Sequence, residues 1–383
     1  MSSTWRRRSA IIRRAISTPW GRVPWPCAPC RGCVRGIYRD EEQTMQVSVA
    51  SVTDKGRVRP SNEDSHYVSG QGGLFIVCDG MGGHSAGEVA SRVCCETIVA
   101  HSGRLEQARE VYANSRNLQD LRALQTAVVT VLQLASNEIF RQASRDAAQA
   151  GMGTTCTMLL LAGNHKAIMG HVGDSRLYLS RGEGVHRLSE DHTFVADLLR
   201  RHAITRKQAE NHPQGNVLTR AMGVQSSATV DTMVFDLDEG DTLFLCSDGV
   251  YNYFPEDQEL GPLLAQDVQR AAEQTVHLAL ERGGHDNCTA IVIRVDAFER
   301  GEAQPKINAE QRIRATRGIP LFAHLSYNEA ARVVGMAQVV HLPANTTLLR
   351  EGQPGHEFFV MLTGQIELRR SGQLVTMLEP GAT

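Results

Sequence analysis

The chain has 383 residues, of which 42% are hydrophobic and 21% charged, and its formal net charge is −2. These values are typical of a soluble globular protein with room for two or three domains. No apolar run approaches the roughly 20 residues that span a bilayer. Nine of the 40 basic residues and none of the 42 acidic residues lie in 1–39. Residues 40–383 therefore have 31 basic and 42 acidic residues, a net charge of 31 − 42 = −11. Such an acidic segment is not expected to bind nucleic acid through its overall charge.

The first 44 residues differ from the rest of the chain. Arg13-Arg14 resembles part of a twin-arginine signal, but no apolar core follows. Cys27, Cys30 and Cys33 have metal-like spacing, yet no fourth ligand lies at a matching distance. We therefore predict that translation starts at Met45 and that residues 1–44 are upstream sequence or a disordered extension.

Periodicity predicts the elements of the main part of the chain. Alternation indicates a strand over 46–52, and a short apolar run indicates a buried strand over 74–78. Apolar residues three and four apart predict helices over 85–101 and 117–146. Further elements are strands at 155–162, 166–172, 176–180, 230–236, 242–246 and 289–295, helices at 193–210 and 263–282, and a loop-like insert at 211–229. This order favours an α+β sandwich over a βαβ array.

The strand at 74–78 is followed by Asp79 and by three glycines within the next four positions. The glycines allow a sharp turn and a close approach of backbone to a ligand. Carboxylate and carbonyl oxygens at such a place suit Mg²⁺ or Mn²⁺. The alternative is that Asp79 only caps the turn.

Further carboxylates occupy similar settings near glycines and strand boundaries. The full set is Glu63, Asp64, Asp79, Asp174, Asp248 and Asp286. Single acidic residues at turns are common, but several that converge would repel each other unless cations held them. Two divalent ions about 3.5–4 Å apart can activate a hydroxide for displacement at phosphorus. Arg59 is the candidate cation for the phosphate, since a guanidinium binds its oxygens two at a time.

Several motifs in this order resemble the metal-dependent serine/threonine protein phosphatases (PPM, type 2C) in their bacterial form. The resemblance covers about 46–296 and rests on Arg59-Pro-Ser-Asn-Glu-Asp64, Asp79-Gly-Met-Gly-Gly-His-Ser-Ala-Gly-Glu88, Gly151-Met-Gly-Thr-Thr155, Gly173-Asp-Ser-Arg176, Glu190-Asp-His192, Ser247-Asp-Gly249 and Asp286-Asn287. It implies an αββα fold, that is, two antiparallel sheets in a β-sandwich flanked by helices, with the metals at one end.

The resemblance also implies roles in a site for two Mn²⁺ or Mg²⁺ ions. Asp79 would bridge both ions, and Asp248 and Asp286 would complete the first site. The Gly80 carbonyl would bind the second ion. The remaining implied roles are water-mediated contacts by Glu63 and Asp64, phosphate binding by Arg59, a weaker third metal site at Asp174 with Asp248, and a mobile flap over 211–223.

The implied reaction is direct attack of a metal-bridging hydroxide on phosphoserine or phosphothreonine in proteins, without a phosphoenzyme. The implied partners are phosphorylated proteins and a bacterial-type kinase. The general acid stays open, because His84 is better explained by packing or capping and water could donate the proton. Cys78, Cys246 and Cys288 are interpreted as buried core thiols, since a hard ion prefers oxygen.

The predicted division is a phosphatase domain at 45–297, a linker at 298–318 and a second unit at 319–383. The second unit resembles the first half of a cyclic-nucleotide-binding domain, a β jelly roll. The resemblance ends at Leu378-Glu-Pro-Gly-Ala-Thr383, before the phosphate-binding cassette, so we expect no useful cyclic-nucleotide binding. This unit could regulate the phosphatase.

Two other classes of function fit the sequence less well. The first is a regulatory scaffold, which would not need the complete set Asp79, Asp248 and Asp286. The second is a two-metal nuclease or phosphodiesterase, which is disfavoured by the excess of acidic residues after residue 39 and by the phosphatase-like motifs. The scattered cysteines favour a reducing cytoplasm.

Overall fold

The computed structural model describes residues 32–39, 44–69, 73–82, 86–163, 165–210, 212–298, 307–354 and 357–380. For residues 32–39 it describes the backbone alone. The sequence-based interpretations of Arg13-Arg14, Cys27, Cys30 and His84 lie outside the described residues, and so does the start of the predicted flap, Asn211.

Two antiparallel sheets form the centre of the molecule. The first has the spatial order β1-β2-β12-β11-β8-β9, and the second has the order β10-β7-β6-β4-β3 with β5 paired to β4. The strands are β1 Gly32–Arg39, β2 Thr44–Asp54, β3 Asp64–Val68, β4 Leu74–Met81, β5 Gly153–Thr154, β6 Cys156–Gly163, β7 Lys166–Val172, β8 Arg176–Arg181, β9 Gly184–Arg187, β10 Asp231–Asp236, β11 Thr242–Cys246 and β12 Cys288–Phe298. A separate hairpin joins β13 Ile366–Arg370 to β14 Gln373–Leu378.

Helices cover both outer faces of the sandwich. The described helices are α1 Ala86–Ala100, α2 Ser102–Ser115, α3 Leu118–Ala143, α4 Phe194–Arg200, α5 Arg206–Glu210, α6 Asp248–Tyr251, α7 Gly261–Leu264, α8 Val268–Glu281, α9 Ala309–Arg317 and α10 Tyr327–Gly335. Helices α1 to α3 cover the second sheet and α6 to α8 cover the first, whereas α10 lies against the edge strands β10 and β9. Short 3-10 turns lie at Ala147–Gln149 and Asp257–Leu260. None of the helices in the described part of the chain is long and apolar enough to cross a membrane.

Alternation along the strands divides the core into layers. On β4, Phe75 and Val77 pack between the two sheets, while Ile76 and Cys78 pack against α1, α2 and α3. A third cluster lies between the first sheet and α8. The layers are therefore helix, sheet, sheet and helix, which confirms the sandwich expected from the sequence.

The sequence missed or misplaced some elements. α2 was missed because its buried face holds few apolar residues, mainly Leu105 and Tyr112. The single helix predicted over 193–210 is two helices, α4 and α5, separated by a turn in which His202 has a φ of 54°. β9 was also missed, since four residues are too short for alternation to stand out.

Two elements fall in segments that were predicted to lack structure. β1 lies within the N-terminal extension and pairs antiparallel with β2, whose edge offers it free backbone groups. α9 lies within the predicted linker and begins with a capping box, in which the Asn308 and Gln311 side chains bond each other's backbone N–H groups. Its buried Ile313 packs into the core between the sheets.

Candidate metal centre

The topology brings the acidic strand ends to one edge of the sandwich. In the β3–β4 ladder Asp64 stands directly opposite Asp79. Asp248 follows the end of β11 and Asp286 precedes the start of β12, and these two strands are antiparallel neighbours. Asp174 follows β7, which ends at Val172. Carboxylates from five segments that are distant in sequence therefore converge.

These residues border a cleft of about 560 Å³. Seven of the predicted site residues line it, namely Arg59, Glu63, Asp79, Gly80, Asp174, Asp248 and Asp286. The eighth, Asp64, is buried next to the cleft, and its Oδ2 accepts a hydrogen bond from Ser247 Oγ at 2.7 Å. The flap contributes part of the wall through Asn216 and residues 218–221.

The backbone of Asp79 is fixed by two threonines. Its N–H donates to Thr155 Oγ1 at 2.8 Å, and its carbonyl oxygen accepts from Thr154 Oγ1 and from the Thr155 N–H, each at 2.8 Å. They continue the β4–β6 register two residues beyond its last regular pair, Val77 with Thr157. They hold the end of β4 at the point where its carboxylate enters the cleft.

Asn287 ties together the loops on the other side of the cleft. Its Oδ1 accepts from the Glu63 N–H at 2.8 Å, and its Nδ2 donates to the carbonyls of Lys55 at 2.8 Å and Ser61 at 2.9 Å. Because Asn287 is buried, these bonds offset the loss of its hydration. The loop carrying Arg59 and Glu63 is thereby locked beside Asp286.

Two glycines permit close backbone packing at the cleft. A Cβ atom on Gly80 would lie 2.1 Å from the carbonyl oxygen of Gly87 and 2.6 Å from that of Glu63. A Cβ on Gly249 would lie 2.0 Å from the carbonyl oxygen of Asn287. The glycines after Asp79 and Asp248 are thus required by packing at these two positions.

The electrostatics of the carboxylate cluster are unfavourable without cations. Burial, and next the Asp64 and Asp248 charges, raise the pKa of Asp79 well above its usual range. Burial raises the pKa of Asp64 to about 7 and, together with the Asp248 charge, that of Asp174 to about 8. Burial and the Asp286 charge also raise the pKa of Asp248. Asp64 Oδ1 and Asp248 Oδ1 are buried and have no hydrogen-bond partner among the described residues.

These features fit hard divalent cations. The donors are carboxylate and carbonyl oxygens, and two of the carboxylate oxygens lack a partner that a cation would supply. A positive charge between the carboxylates would also favour their ionised forms. The donor set therefore suits Mg²⁺ or Mn²⁺ rather than a thiophilic metal.

Arg59 lies at the rim of the same cleft. Its Nη2 donates to Asp286 Oδ2 at 2.7 Å, and its side chain is 49% exposed. That hydrogen bond raises the pKa of Arg59 above its usual value, so the guanidinium is charged at all relevant pH values. The Arg59 guanidinium is thus a permanent positive charge beside the carboxylates, and an anion bound in the cleft could pair with it.

The flap has an anchor that the sequence did not reveal. Arg220 Nη1 donates to Asp231 Oδ1 at 2.8 Å, and His192 Nε2 lies 3.0 Å from Asp231 Oδ2. Asp231 is the first residue of β10, so the flap is tied to the start of that strand. Arg220 stood in no acidic motif, and Thr155 and Ser247 appeared only as motif members without a role. The available sequence signal for Thr155 and Ser247 was their place in the motifs Gly151-Met-Gly-Thr-Thr155 and Ser247-Asp-Gly249.

The cleft lies at one end of an αββα sandwich, is lined by carboxylate and carbonyl oxygens and has an arginine at its rim. These features define a divalent-metal site suited to phosphate chemistry. The family model for "Protein phosphatase 2C" matches residues 57–282. The chain belongs to the protein phosphatase 2C family, and it is an enzyme of that class.

Named relatives agree with this assignment. The chain is 34% identical over 254 residues to the serine/threonine phosphatase stp of Listeria innocua, covering 65% of this chain and 96% of that protein. It is 34% identical over 262 residues to the serine/threonine protein phosphatase PstP of Mycobacterium tuberculosis, covering 68% of this chain and 48% of that protein.

Solved structures show the same fold. The structure of PstP/Ppp from Mycobacterium tuberculosis is 32% identical, with a TM-score of 0.55, and the alignment covers 66% of this chain and 99% of that one. A catalytic domain of PstP, 30% identical with a TM-score of 0.54, was solved in complex with two manganese ions, and the alignment covers 66% of this chain and 99% of that one.

Proposed function

We propose that this chain hydrolyses phosphoserine and phosphothreonine in proteins with the help of two Mn²⁺ or Mg²⁺ ions. The observation that carries this proposal is the convergence of Asp79, Asp248 and Asp286 on one cleft with partnerless carboxylate oxygens. The family and the manganese-bound relative support it.

The proposed ligands divide the cleft into two ion positions. Asp79 would contribute to both, Asp248 and Asp286 would complete the first, and the Gly80 carbonyl would belong to the second. Glu63 and Asp64 would act on the second through water, and Asp174 with Asp248 would hold a weaker third ion. When bound, the two ions supply an activated water nucleophile at neutral pH and positive charge for the phosphoryl oxygens.

The protein's own part is to bind and orient the phosphate. Arg59 is placed to contact phosphate oxygens, and its bond to Asp286 keeps the guanidinium at the rim. The flap wall around Arg220 is placed to contact the peptide that carries the phosphate.

The test is hydrolysis of a phosphothreonine peptide by the purified full chain. We expect turnover with Mn²⁺, none with a chelator, and recovery when Mn²⁺ is restored. A phosphotyrosine peptide and a phosphodiester serve as controls and should react much more slowly. A folded, Mn²⁺-loaded protein without turnover would support the scaffold alternative, and preference for the diester would support a nuclease-like activity.

The partners we propose are phosphorylated proteins, including a bacterial-type serine/threonine kinase and its substrates. The compartment we propose is the cytoplasm. Six cysteines among the described side chains are free thiols, which suits a reducing environment.

We also propose that the C-terminal residues act on the phosphatase through α9 and α10. Lys166 Nζ donates to Asp236 Oδ1 at 2.6 Å and to the Gly335 carbonyl oxygen at 2.8 Å, and Arg312 Nη1 forms an ion pair with Asp236 Oδ2 at 3.0 Å. Asp236 ends β10, whose first residue, Asp231, anchors the flap. β10 therefore connects the helix pair with the cleft wall.

Aromatic and polar contacts add to this docking. The Tyr327 ring stacks on His186 with centroids 3.5 Å apart and planes 4° from parallel. The Tyr327 hydroxyl accepts from Arg181 Nη1 at 3.3 Å, and Arg181 in turn binds Asp241 through two hydrogen bonds. These half-buried contacts indicate one fixed position for α10 on the sandwich.

Gly335→Ala tests this connection. A Cβ there would lie 2.0 Å from the Val234 carbonyl oxygen, so α10 should lift from β10. Mutations that disturb the connection between two sites typically change their coupling free energy by about 0.5–2 kcal/mol. If the position of α10 affects the cleft through β10, kcat/KM should therefore fall by about two- to thirtyfold. Gly318→Ala is the control, since its nearest contacts would be at 3.4 Å. Unchanged kcat/KM, with α10 shown by limited proteolysis to be released, would contradict the proposal.

We further propose a phosphatase domain at 45–297, a linker at 298–318 and a partial β jelly roll at 319–383. The sequence motifs support a half barrel, and so does the β13–β14 hairpin with its bulge between Leu368 and Arg369.

A further inference from the structure

A group of thiols lies in the helix-side core, on the opposite face of β4 from the metal cleft. Six cysteines among the described side chains are free, and four of them belong to this group: Cys78, Cys94, Cys95 and Cys156. All four are completely buried. Isolated buried cysteines act as small apolar residues, but four gathered in one place are an arrangement typical of ligands.

The β-ladder and α1 bring these thiols together. Val77 pairs with Thr157, and one step along the same register Cys78 stands opposite Cys156. α1 packs over this pair and supplies Cys94 and Cys95. The sulfurs of Cys78, Cys94 and Cys156 all lie within 4.8 Å of one another, and Cys95 Sγ lies 3.6 Å from Cys78 Sγ.

These distances approach those of a metal–thiolate site. Zinc–sulfur bonds of about 2.3 Å place sulfurs about 3.8–4.0 Å apart in tetrahedral or trigonal coordination. A small contraction of the three thiols would reach that geometry, with Cys95 available as a fourth ligand. Soft sulfur ligands select zinc-like ions and disfavour Mg²⁺ and Mn²⁺.

We propose that Cys78, Cys94 and Cys156, with Cys95 as the fourth ligand, bind one thiophilic divalent ion of the zinc class. Each ligating cysteine binds as a thiolate, so four thiol protons pass to solvent on binding and the 2+ ion offsets two of the four negative charges. The ion fastens α1 to β4, the strand that carries Asp79 on its other face. This proposal does not depend on the proposed phosphatase activity.

The test uses Cd²⁺, whose thiolate charge-transfer absorption distinguishes sulfur ligation from carboxylate ligation. The full chain carries Cys27→Ser, Cys30→Ser and Cys33→Ser throughout, so that the N-terminal thiols cannot contribute, and excess Mn²⁺ occupies the oxygen-lined cleft. Because the thiols are buried, Cd²⁺ is supplied both to the folded protein and during refolding. We expect one equivalent of Cd²⁺ with the absorption band, and an equivalent of Zn²⁺ that displaces it.

Cys94→Ser and Cys156→Ser should each weaken Cd²⁺ binding at least tenfold, since each removes a direct ligand. Cys246→Ser is the matched control, because it removes a fully buried thiol from the other sheet and should leave the band intact. Absence of the band in the parent protein would overturn the proposal, whatever the variants do. A band that survives both ligand substitutions, or a mass 2 Da lower that reveals a disulfide in place of metal, would also overturn it.

Discussion

Replacing Asp248 by asparagine is expected to reduce Mn²⁺-dependent hydrolysis of a phosphothreonine peptide about a thousandfold, because metal charge stabilisation contributes several kcal/mol and each 1.4 kcal/mol is a factor of ten. Asparagine keeps the shape of the side chain but removes a charge that would hold the ion. The same change removes one of several mutually repelling carboxylates. The metal-free variant should therefore unfold at the same temperature as the parent or a higher one.

Thermal unfolding with and without Mn²⁺ separates these two effects. Mn²⁺ should raise the unfolding temperature of the parent as its concentration exceeds the Kd, and it should raise that of the variant much less. Asp267→Asn is the matched control, because Asp267 caps α8 outside the cleft and asparagine caps helices equally well. Turnover by Asp248→Asn at the parental rate would exclude Asp248 as a required ligand, and a large loss of metal-free stability would show that its role is structural.

Gly80→Ala should lower kcat/KM at least tenfold and destabilise the protein by about 1–3 kcal/mol, the usual cost of forcing an extra carbon into a packed region. Gly80 does not have a left-handed φ, so backbone strain is not the cause. The cause is the 2.1 Å approach of the new Cβ to the Gly87 carbonyl oxygen. Either α1 or the Gly80 carbonyl must then shift, and the second ion position with it.

Gly103→Ala provides the comparison for this variant. A Cβ at Gly103 in α2 would meet nothing within 4 Å, and alanine there should raise the free energy of unfolding by about 0.4–1 kcal/mol without changing turnover. Denaturant unfolding and steady-state kinetics measure both variants. A Gly80→Ala protein with parental stability and kcat/KM would show that the close packing beside Asp79 is not needed for the site.

Local patterns were sufficient for most of the elements. The strands predicted at 166–172 and 242–246 agree with β7 and β11 residue for residue, because buried apolar runs bounded by turns are a strong local signal. The acidic candidates could also be selected from the sequence, since each follows or precedes a core strand. The order of strands and helices favoured an α+β sandwich, and the family resemblance implied its αββα layers.

Other features depended on contacts between distant segments. α9 was predicted as linker because its sequence is polar, yet Ile313 and Arg312 find partners on the sandwich. The flap anchor joins Arg220 and His192 to Asp231, and no local signal marks that combination. The thiol group required the β4–β6 register and the packing of α1 on top of it.

The sequence by itself determined the sandwich, the acidic strand ends and the membership motifs of a metal-dependent phosphatase, because periodicity and turn chemistry are local properties of the chain. Only the tertiary structure decided that Asp64 faces Asp79 across a ladder and that four thiols meet behind Asp79. It also decided that Asp64 Oδ1 and Asp248 Oδ1 are buried without a hydrogen-bond partner among the described residues. The physical reason is that sheet order and register set which side chains meet. Sheet order and register depend on contacts along the whole chain, including contacts between residues 224 positions apart such as Glu63 and Asn287.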